Sequence, residues 1–342
     1  MHNNYEYLIR ADGSHQLGLG HIFRTKTLAK YLISKGKNTL YVSRENKNVC
    51  RLIENIDYFT IKADIKLEEE LNIILNLVKK YQIKTIINDL LFYDEDYLNS
   101  LSDFGVKIVT FHENRISDPF SDMIINYNTF NKALDNNNSH NKNCLGPKYC
   151  IFPDTLTEKE SINIKNNVKK VLLSFGGSDP CDYTTKIAKL IINNHHLLGQ
   201  IEEIIVHLGP SNRQSKIIHS LIEKSVIKIN IQDEVKDLHS IMIQSDLALS
   251  SGGNTMYELC YLGIPTIIFP QNAHQEVFAK ELSDHQLVSL ISRKNCNNEN
   301  YILKLLIKLI KNKSLRKRMN QSSIKIFDPN GVRRVGEAIF CL

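Results

Sequence analysis

The strongest constraint on this chain is a pattern that runs through it twice: short apolar segments of strand length alternate with segments of helical periodicity. In the first series the apolar runs lie at 7–10, 39–42, 85–88, 107–111 and 123–126. A helix predicted over 21–36 places Ile22, Leu28, Ala29, Leu32 and Ile33 at helical spacing and stops at Gly36. A second series follows, with runs at 170–175, 203–208, 226–229, 247–250 and 266–269. Strands and helices in alternation imply parallel, doubly wound sheets, because a parallel pair needs a crossover helix. A chain of 342 residues is also too long for one ordinary core. The expectation is therefore α/β: two Rossmann-like domains with parallel sheets facing across a cleft. Their expected extents are 1–165 and 166–325, with a C-terminal helix over 326–342 packing back on the first. Between 126 and 143 Asn dominates and apolar residues thin out, which reads as an exposed loop.

Composition excludes several classes. No run of eighteen apolar residues is present, so stable membrane insertion is not expected. Residues 1–6 lack a basic region followed by an apolar run, and the seven Cys are scattered with no Cys-x-x-Cys pair. A cytoplasmic location with reduced thiols follows as the expectation. The net charge of +6 arises from 43 basic and 37 acidic residues spread along the whole chain, which favours an anionic small substrate over nucleic acid. The densest basic run, 308–318, reads as one solvated helix face.

Four loops carry candidate chemistry. Ser250-Ser251-Gly252-Gly253-Asn254-Thr255-Met256-Tyr257-Glu258 runs from a buried strand through two glycines into a helix. Such a helix start offers free N–H groups and a positive dipole end to a phosphate, and Glu258 about one turn on suits ribose hydroxyls. The plainer reading is a strand-to-helix turn capped by Asn254 or Thr255. Gly176-Gly177-Ser178-Asp179-Pro180 is a second strand-end glycine pair, either a ligand loop or a turn in which Ser178 or Asp179 caps a helix with Pro180 at its first position. Gln271-Asn272-Ala273-His274-Gln275 stands at the end of another strand. In the first series Gly18-Leu19-Gly20-His21 precedes Arg24, a spacing unlike a dinucleotide fingerprint, with no acid after the second strand to hold a ribose. Here a histidine opens a helix, where the positive dipole end favours the neutral imidazole of a general base. The acidic Asp94-Glu95-Asp96 reads as a first helical turn and His195-His196 lacks a third ligand, so no metal and no cofactor are expected.

Several blocks together resemble one family. Arg10-Ala11-Asp12-Gly13-Ser14 with Gly18 to Arg24, Ser174 to Pro180, Ser251 to Glu258 continuing through Gly263-x-Pro265 to Gln275, and Asp328-x-x-Gly331-x-x-Arg334-Val335 are similar to the UDP-2,4-diacetamido-2,4,6-trideoxy-β-L-altropyranose hydrolases of pseudaminic acid synthesis and to related spore-coat polysaccharide proteins. The resemblance covers nearly the whole chain and implies a GT-B fold, with UDP on the C-terminal domain and the sugar in the cleft. It implies that His21 activates water for inverting, metal-independent attack at the anomeric carbon. It also implies that Asp12, Gly20, Arg24, Gly177, Ser178, Gly253, Asn254, Thr255, Glu258, His274 and Gln275 contact the UDP-sugar. The chain departs from the family at Asn88-Asp89-Leu90, His112-Glu113 and His274, positions on the sugar side. The expectation is hydrolysis of a UDP-linked diacetamido trideoxy sugar. The alternatives are a GT-B glycosyltransferase using a UDP-sugar donor in cell-surface polysaccharide synthesis, and a non-catalytic nucleotide-sugar-binding subunit.

Overall fold

The computed structural model describes residues 4–14, 19–90, 93, 95–113, 116–130, 143–209, 212, 215–222, 225–233 and 237–342. The chain divides into two compact units, one formed by Met1–Asp154 with Pro329–Leu342 and the other by Thr155–Asp328. Among the described residues no helix is long and apolar enough to cross a membrane.

In the first unit β1 (Tyr7–Ala11), α1 (Gly20–Ser34), β2 (Thr39–Arg44), α2 (Lys47–Ile53), β3 (Tyr58–Ile61), α3 (Leu67–Tyr81), β4 (Thr85–Asp89), α4 (Glu95–Asp103), β5 (Lys107–Phe111), β6 (Met123–Asn126) and β7 (Cys144–Leu145) follow in order, and the chain leaves through the short α5 (Asp154–Thr157). All seven strands run parallel in the order β3-β2-β1-β4-β5-β6-β7. The strands are apolar on both faces because helices cover both. Ile9, Tyr41, Ile87 and Val109 pack with Ile22, Leu28 and Leu32 of α1. Leu8, Val42, Ile86 and Ile108 pack on the other face with Ile74, Val78 and Leu98 of α3 and α4. The predicted loop over 126–143 lies partly outside the described residues. Of its described ends, Asn126 closes β6 and the Asn143 side chain accepts the Ile124 amide at 3.0 Å.

The second unit continues with β8 (Lys170–Ser174), α6 (Tyr183–Asn193), β9 (Glu203–His207), α7 (Ser215–Ile222), β10 (Lys228–Gln232), α8 (Leu238–Met242), β11 (Leu247–Ser250), α9 (Asn254–Tyr261), β12 (Thr266–Ile268), α10 (Ala273–Asp284), β13 (Ser289–Leu290), α11 (Glu299–Lys311) and α12 (Lys313–Ile326). Its six strands are again parallel, in the order β10-β9-β8-β11-β12-β13. The last helix, α13 (Gly331–Phe340), returns to the first unit. There Val335 and Ile339 join the core beneath α1, and Phe340 stacks on Tyr31. Gly331 is obligatory at this contact, since a Cβ would stand 1.9 Å from the Cys150 carbonyl oxygen.

The basic run over 308–318 is not one solvated face. Asn312 ends α11 and caps α12 by accepting the Leu315 amide at 2.9 Å. Arg316 is buried and donates to the carbonyls of Leu309, Ile310, Lys165 and Asn166 at 2.7, 2.6, 3.0 and 2.8 Å. A guanidinium at a helix C-terminus satisfies carbonyls that have no intrahelical partner.

Candidate functional site

In an open parallel sheet, ligands bind beyond the carboxyl ends of the strands where the winding direction reverses. In the first unit that point lies between β1 and β4, and in the second between β8 and β11. Of the loops singled out in the sequence, three lead off β1, β8 and β11, while Gln271–Gln275 follows β12.

In the first unit His21 is the second residue of α1, while Gly18 lies outside the described residues and Gly20 is the helix's first residue. The histidine does not stand alone. Asp89 closes β4, fully buried, with Oδ1 at 2.7 Å from His21 Nδ1. A carboxylate only accepts, so Nδ1 carries the proton and Nε2 keeps the lone pair, the tautomer a base requires. Arg24, one turn along α1, donates through Nε to Asp89 Oδ2 and through Nη2 to Oδ1, both at 2.5 Å. Nη2 also lies 2.9 Å from His21 Nδ1. Two donors here share one carboxylate oxygen, and the carboxylate, not the imidazole, accepts the guanidinium's hydrogen bond. Arg24 Nη1 donates to the Tyr127 hydroxyl and lies 3.8 Å from Glu113 Oε1, with the guanidinium against the rings of Phe111 and Tyr127. Burial pushes the Asp89 carboxyl up, but Arg24 and His21 together hold it well below the usual carboxylate range. Asp89 therefore stays ionised.

Asp12 enters a separate buried network. Arg10 donates to Asp12 Oδ2 at 2.8 Å and to Glu70 Oε1 at 2.7 Å, and Asp12 Oδ1 accepts the Arg44 amide at 2.8 Å. Asp12 and Arg24 were read as substrate contacts. Their hydrogen bonds are to protein groups, Asp12 fastening β1 to β2 and Arg24 holding Asp89. His112 and Glu113, at the end of β5, are likewise engaged. The Tyr93 hydroxyl is 2.7 Å from His112 Nε2, and Asp118 Oδ2 is 3.4 Å from it.

In the second unit the two glycine loops stand side by side. Beyond β8, Gly176 adopts a φ of +83°, and Gly209 presses on Gly176 and Gly177 so closely that a Cβ there would meet their backbone at 2.3–2.5 Å. Neither Ser178 nor Asp179 is the N-cap residue: α6 begins at Tyr183, not Pro180, after Asp182, although the Asp179 side chain reaches its first amides. Asp179 and Asp182 take left-handed φ values of 43° and 53°, and this extra turn delays the helix. Asp179 accepts the amides of Tyr183 and Thr184 at 3.0 and 2.8 Å. Ser178, exposed in the same loop, takes no part in these bonds. Beyond β11, Gly253 caps α9 without any side-chain hydrogen bond, so neither Asn254 nor Thr255 closes the helix. By contrast α8, α10, α11 and α12 are each closed by an Asp or Asn side chain. Among the described residues the first amides of α9 therefore have no side-chain acceptor, a feature α9 shares with α1, α3 and α13.

Gln275 joins the two loops beyond β11 and β12. Its Oε1 accepts the amides of Gly252 at 3.2 Å and Gln271 at 2.9 Å, while Gln271 donates to the Phe175 carbonyl at 2.8 Å. His274 packs edge-on against Phe278 with ring centroids 4.5 Å apart. Glu258 is half-buried on α9, with Oε1 3.6 Å from His239 Nε2. The sequence reading missed Asp89, His239 and His207. A buried acid closing an otherwise apolar strand was the available signal for Asp89. Nothing in the sequence marked the two histidines.

Residues 171–335 match the glycosyltransferase family 28 C-terminal domain. The chain is 24% identical over 337 residues to the spore coat polysaccharide biosynthesis protein SpsG of Bacillus subtilis, covering 96% of this chain and 95% of that protein. It is 28% identical over 279 residues to the uncharacterized protein MJ1062 of Methanocaldococcus jannaschii, and there it spans only 56% of the relative's length. Over 134 residues it is 30% identical to the UDP-N-acetylglucosamine–N-acetylmuramyl-(pentapeptide) pyrophosphoryl-undecaprenol N-acetylglucosamine transferase of Campylobacter jejuni, covering 34% of this chain and 39% of that one. The crystal structure of MurG from Acinetobacter baumannii superposes with a TM-score of 0.71 at 15% identity, covering 98% of this chain and 100% of that chain. These findings bear out the α/β, GT-B fold of two Rossmann-like domains. They overturn the expected hydrolase: the matching family model and the named enzyme among these relatives are those of glycosyltransferases. Nothing in these relatives supports the pseudaminic acid assignment.

Proposed function

We propose that this protein is a glycosyltransferase that moves a sugar from a UDP-sugar donor to an acceptor hydroxyl in polysaccharide synthesis. The observation that carries the proposal is the match of residues 171–335, the segment holding both glycine loops and Glu258, to a glycosyltransferase family 28 domain. The near full-length similarity to SpsG supports the polysaccharide context.

The second unit supplies the nucleotide site. The diphosphate accepts the uncapped amides of α9 at Gly253, Asn254 and Thr255, with the loop of Gly177 and Ser178 beside it. Glu258 accepts from the ribose hydroxyls, and His274 and Gln275 shape the loop beyond β12. A helix N-terminus aimed at a departing diphosphate stabilises the charge it gains as the anomeric C–O bond breaks. The first unit supplies the base. His21 Nε2 takes the proton of the acceptor hydroxyl while Asp89 stabilises the imidazolium that forms, and Arg24 holds Asp89 in place. One bond forms, from acceptor oxygen to anomeric carbon, and one breaks, releasing UDP; attack opposite the leaving group inverts the anomeric centre.

The test is UDP release from a panel of UDP-sugars, with and without hydroxyl acceptors such as glycan oligosaccharides or lipid-linked saccharides. Acceptor-dependent release is expected, and His21→Ala is expected to lower it about 10²–10⁴-fold. Release at the same rate in the absence of any acceptor would sink the transferase reading.

A further inference from the structure

Two imidazoles interact with Glu258, His239 by contact and His207 through its charge. His239, from α8, places Nε2 3.6 Å from Glu258 Oε1, an electrostatic contact slightly longer than a hydrogen bond. Its ring is held at the other nitrogen, where Nδ1 lies 3.2 Å from the Thr155 hydroxyl and 3.7 Å from Asp237 Oδ1. Asp237 is itself fixed, capping α8 through the Ser240 amide at 3.2 Å and pairing with Lys159 at 3.3 Å. The other, His207, at the end of β9, has Nδ1 3.0 Å from Ser174 Oγ. Burial pushes the His207 imidazole below its ordinary value, against the pull of Glu258. His239 is thus the imidazole with a nitrogen aimed at the carboxylate, and its ring is itself braced. The tautomer that accepts from the Thr155 hydroxyl at Nδ1 carries its proton on Nε2, facing Glu258.

A glutamate has three side-chain torsions, and fixing them costs free energy that a ligand must otherwise supply on binding. Among the described residues no group pairs with Oε2, which is left to accept from a ligand. We propose that His239 is a positioning residue: it holds Glu258 in the rotamer that accepts from a vicinal diol, and so sets the preference for a ribonucleotide over its 2′-deoxy counterpart. The inference rests on the assignment of Glu258 to ribose.

The experiment measures calorimetric Kd values of UDP and 2′-deoxyuridine diphosphate for the full chain, for Glu258→Ala, and for His239→Asn and His239→Gln. The Gln amide nitrogen can reach the place of Nε2, whereas the Asn amide stops near Nδ1 and keeps the contact with Thr155. His239→Asn is expected to weaken UDP about tenfold with little change for the deoxy compound. His239→Gln is expected to retain the discrimination, and His239→Asn added to Glu258→Ala should cost nothing further. Equal weakening of both nucleotides by His239→Asn, or full additivity with Glu258→Ala, overturns the inference. If Glu258→Ala leaves UDP binding unchanged, it is the nucleotide site itself that is misplaced.

Discussion

At the scale of single residues, the first unit turns on Asp89. It is a buried carboxylate whose neighbours are a guanidinium and an imidazole, so replacing it removes both a charge and an acceptor. Asp89→Asn keeps the shape but presents an amide that can donate to Nδ1, which favours the wrong imidazole tautomer. Transfer activity is expected to fall about 10²–10⁴-fold. The same change leaves buried Arg24 with only the longer 3.8 Å pairing to half-buried Glu113, costing up to about 3–5 kcal/mol. Because the folded carboxyl titrates below its unfolded value, its contribution to stability is fully present above about pH 4. It is lost as pH falls through the lower folded value. Denaturant melts of both proteins from pH 7 downward check this: the gap should be widest at neutrality and narrow below about pH 4. A gap independent of pH would show that Asp89 acts by shape alone.

At the scale of elements, the sequence made the strands legible where apolar runs are bounded by charge or glycine, as in β1, β8 and β11. Of the edge strands β10 was legible, but β3, β7 and β13 were not, because the exposed Tyr58 and Phe59 of β3 and the two-residue β7 and β13 lack a buried apolar run. Likewise the glycine loops announced themselves by local composition, whereas the His21–Asp89 pair joins residues 68 apart and depends on β4 lying beside β1. Arg316 shows the same limit from the opposite side. Its place in a run of Lys and Arg suggested solvent, yet its guanidinium closes the C-terminus of α11. Arg316→Met should fill the volume but strand those carbonyls, costing about 2–3 kcal/mol. Arg316→Lys should recover only part of this, since an ammonium lacks the planar fork that reaches four acceptors. Equal stability of the Met variant and the parent in denaturant melts would refute that account of how α11 and α12 join.

At the scale of the whole molecule, the first unit is discontinuous: its sheet is complete by residue 145, but α13 reaches it only after the entire second unit. The contacts α13 makes are those of a core element. Val335 and Ile339 are buried, Gly336 lies where a Cβ would strike the Tyr31 ring at 2.3 Å, and Phe340 covers Tyr7 and Tyr31. Each buried Val or Ile side chain contributes about 1.5–3 kcal/mol, so the helix outweighs any single surface interaction. A chain ending at Asp328 should therefore fold its second unit and leave α1 exposed on its outer face. Hydrogen exchange should accelerate in α1 and β1 while β8, β9 and β11 keep their protection. UDP, assigned to the second unit, should still slow exchange around α9 in the truncated chain, although transfer activity is lost with the integrity of the His21 helix. If truncation instead loosened both sheets equally, the two units would not be the independent stability elements that their separate cores imply.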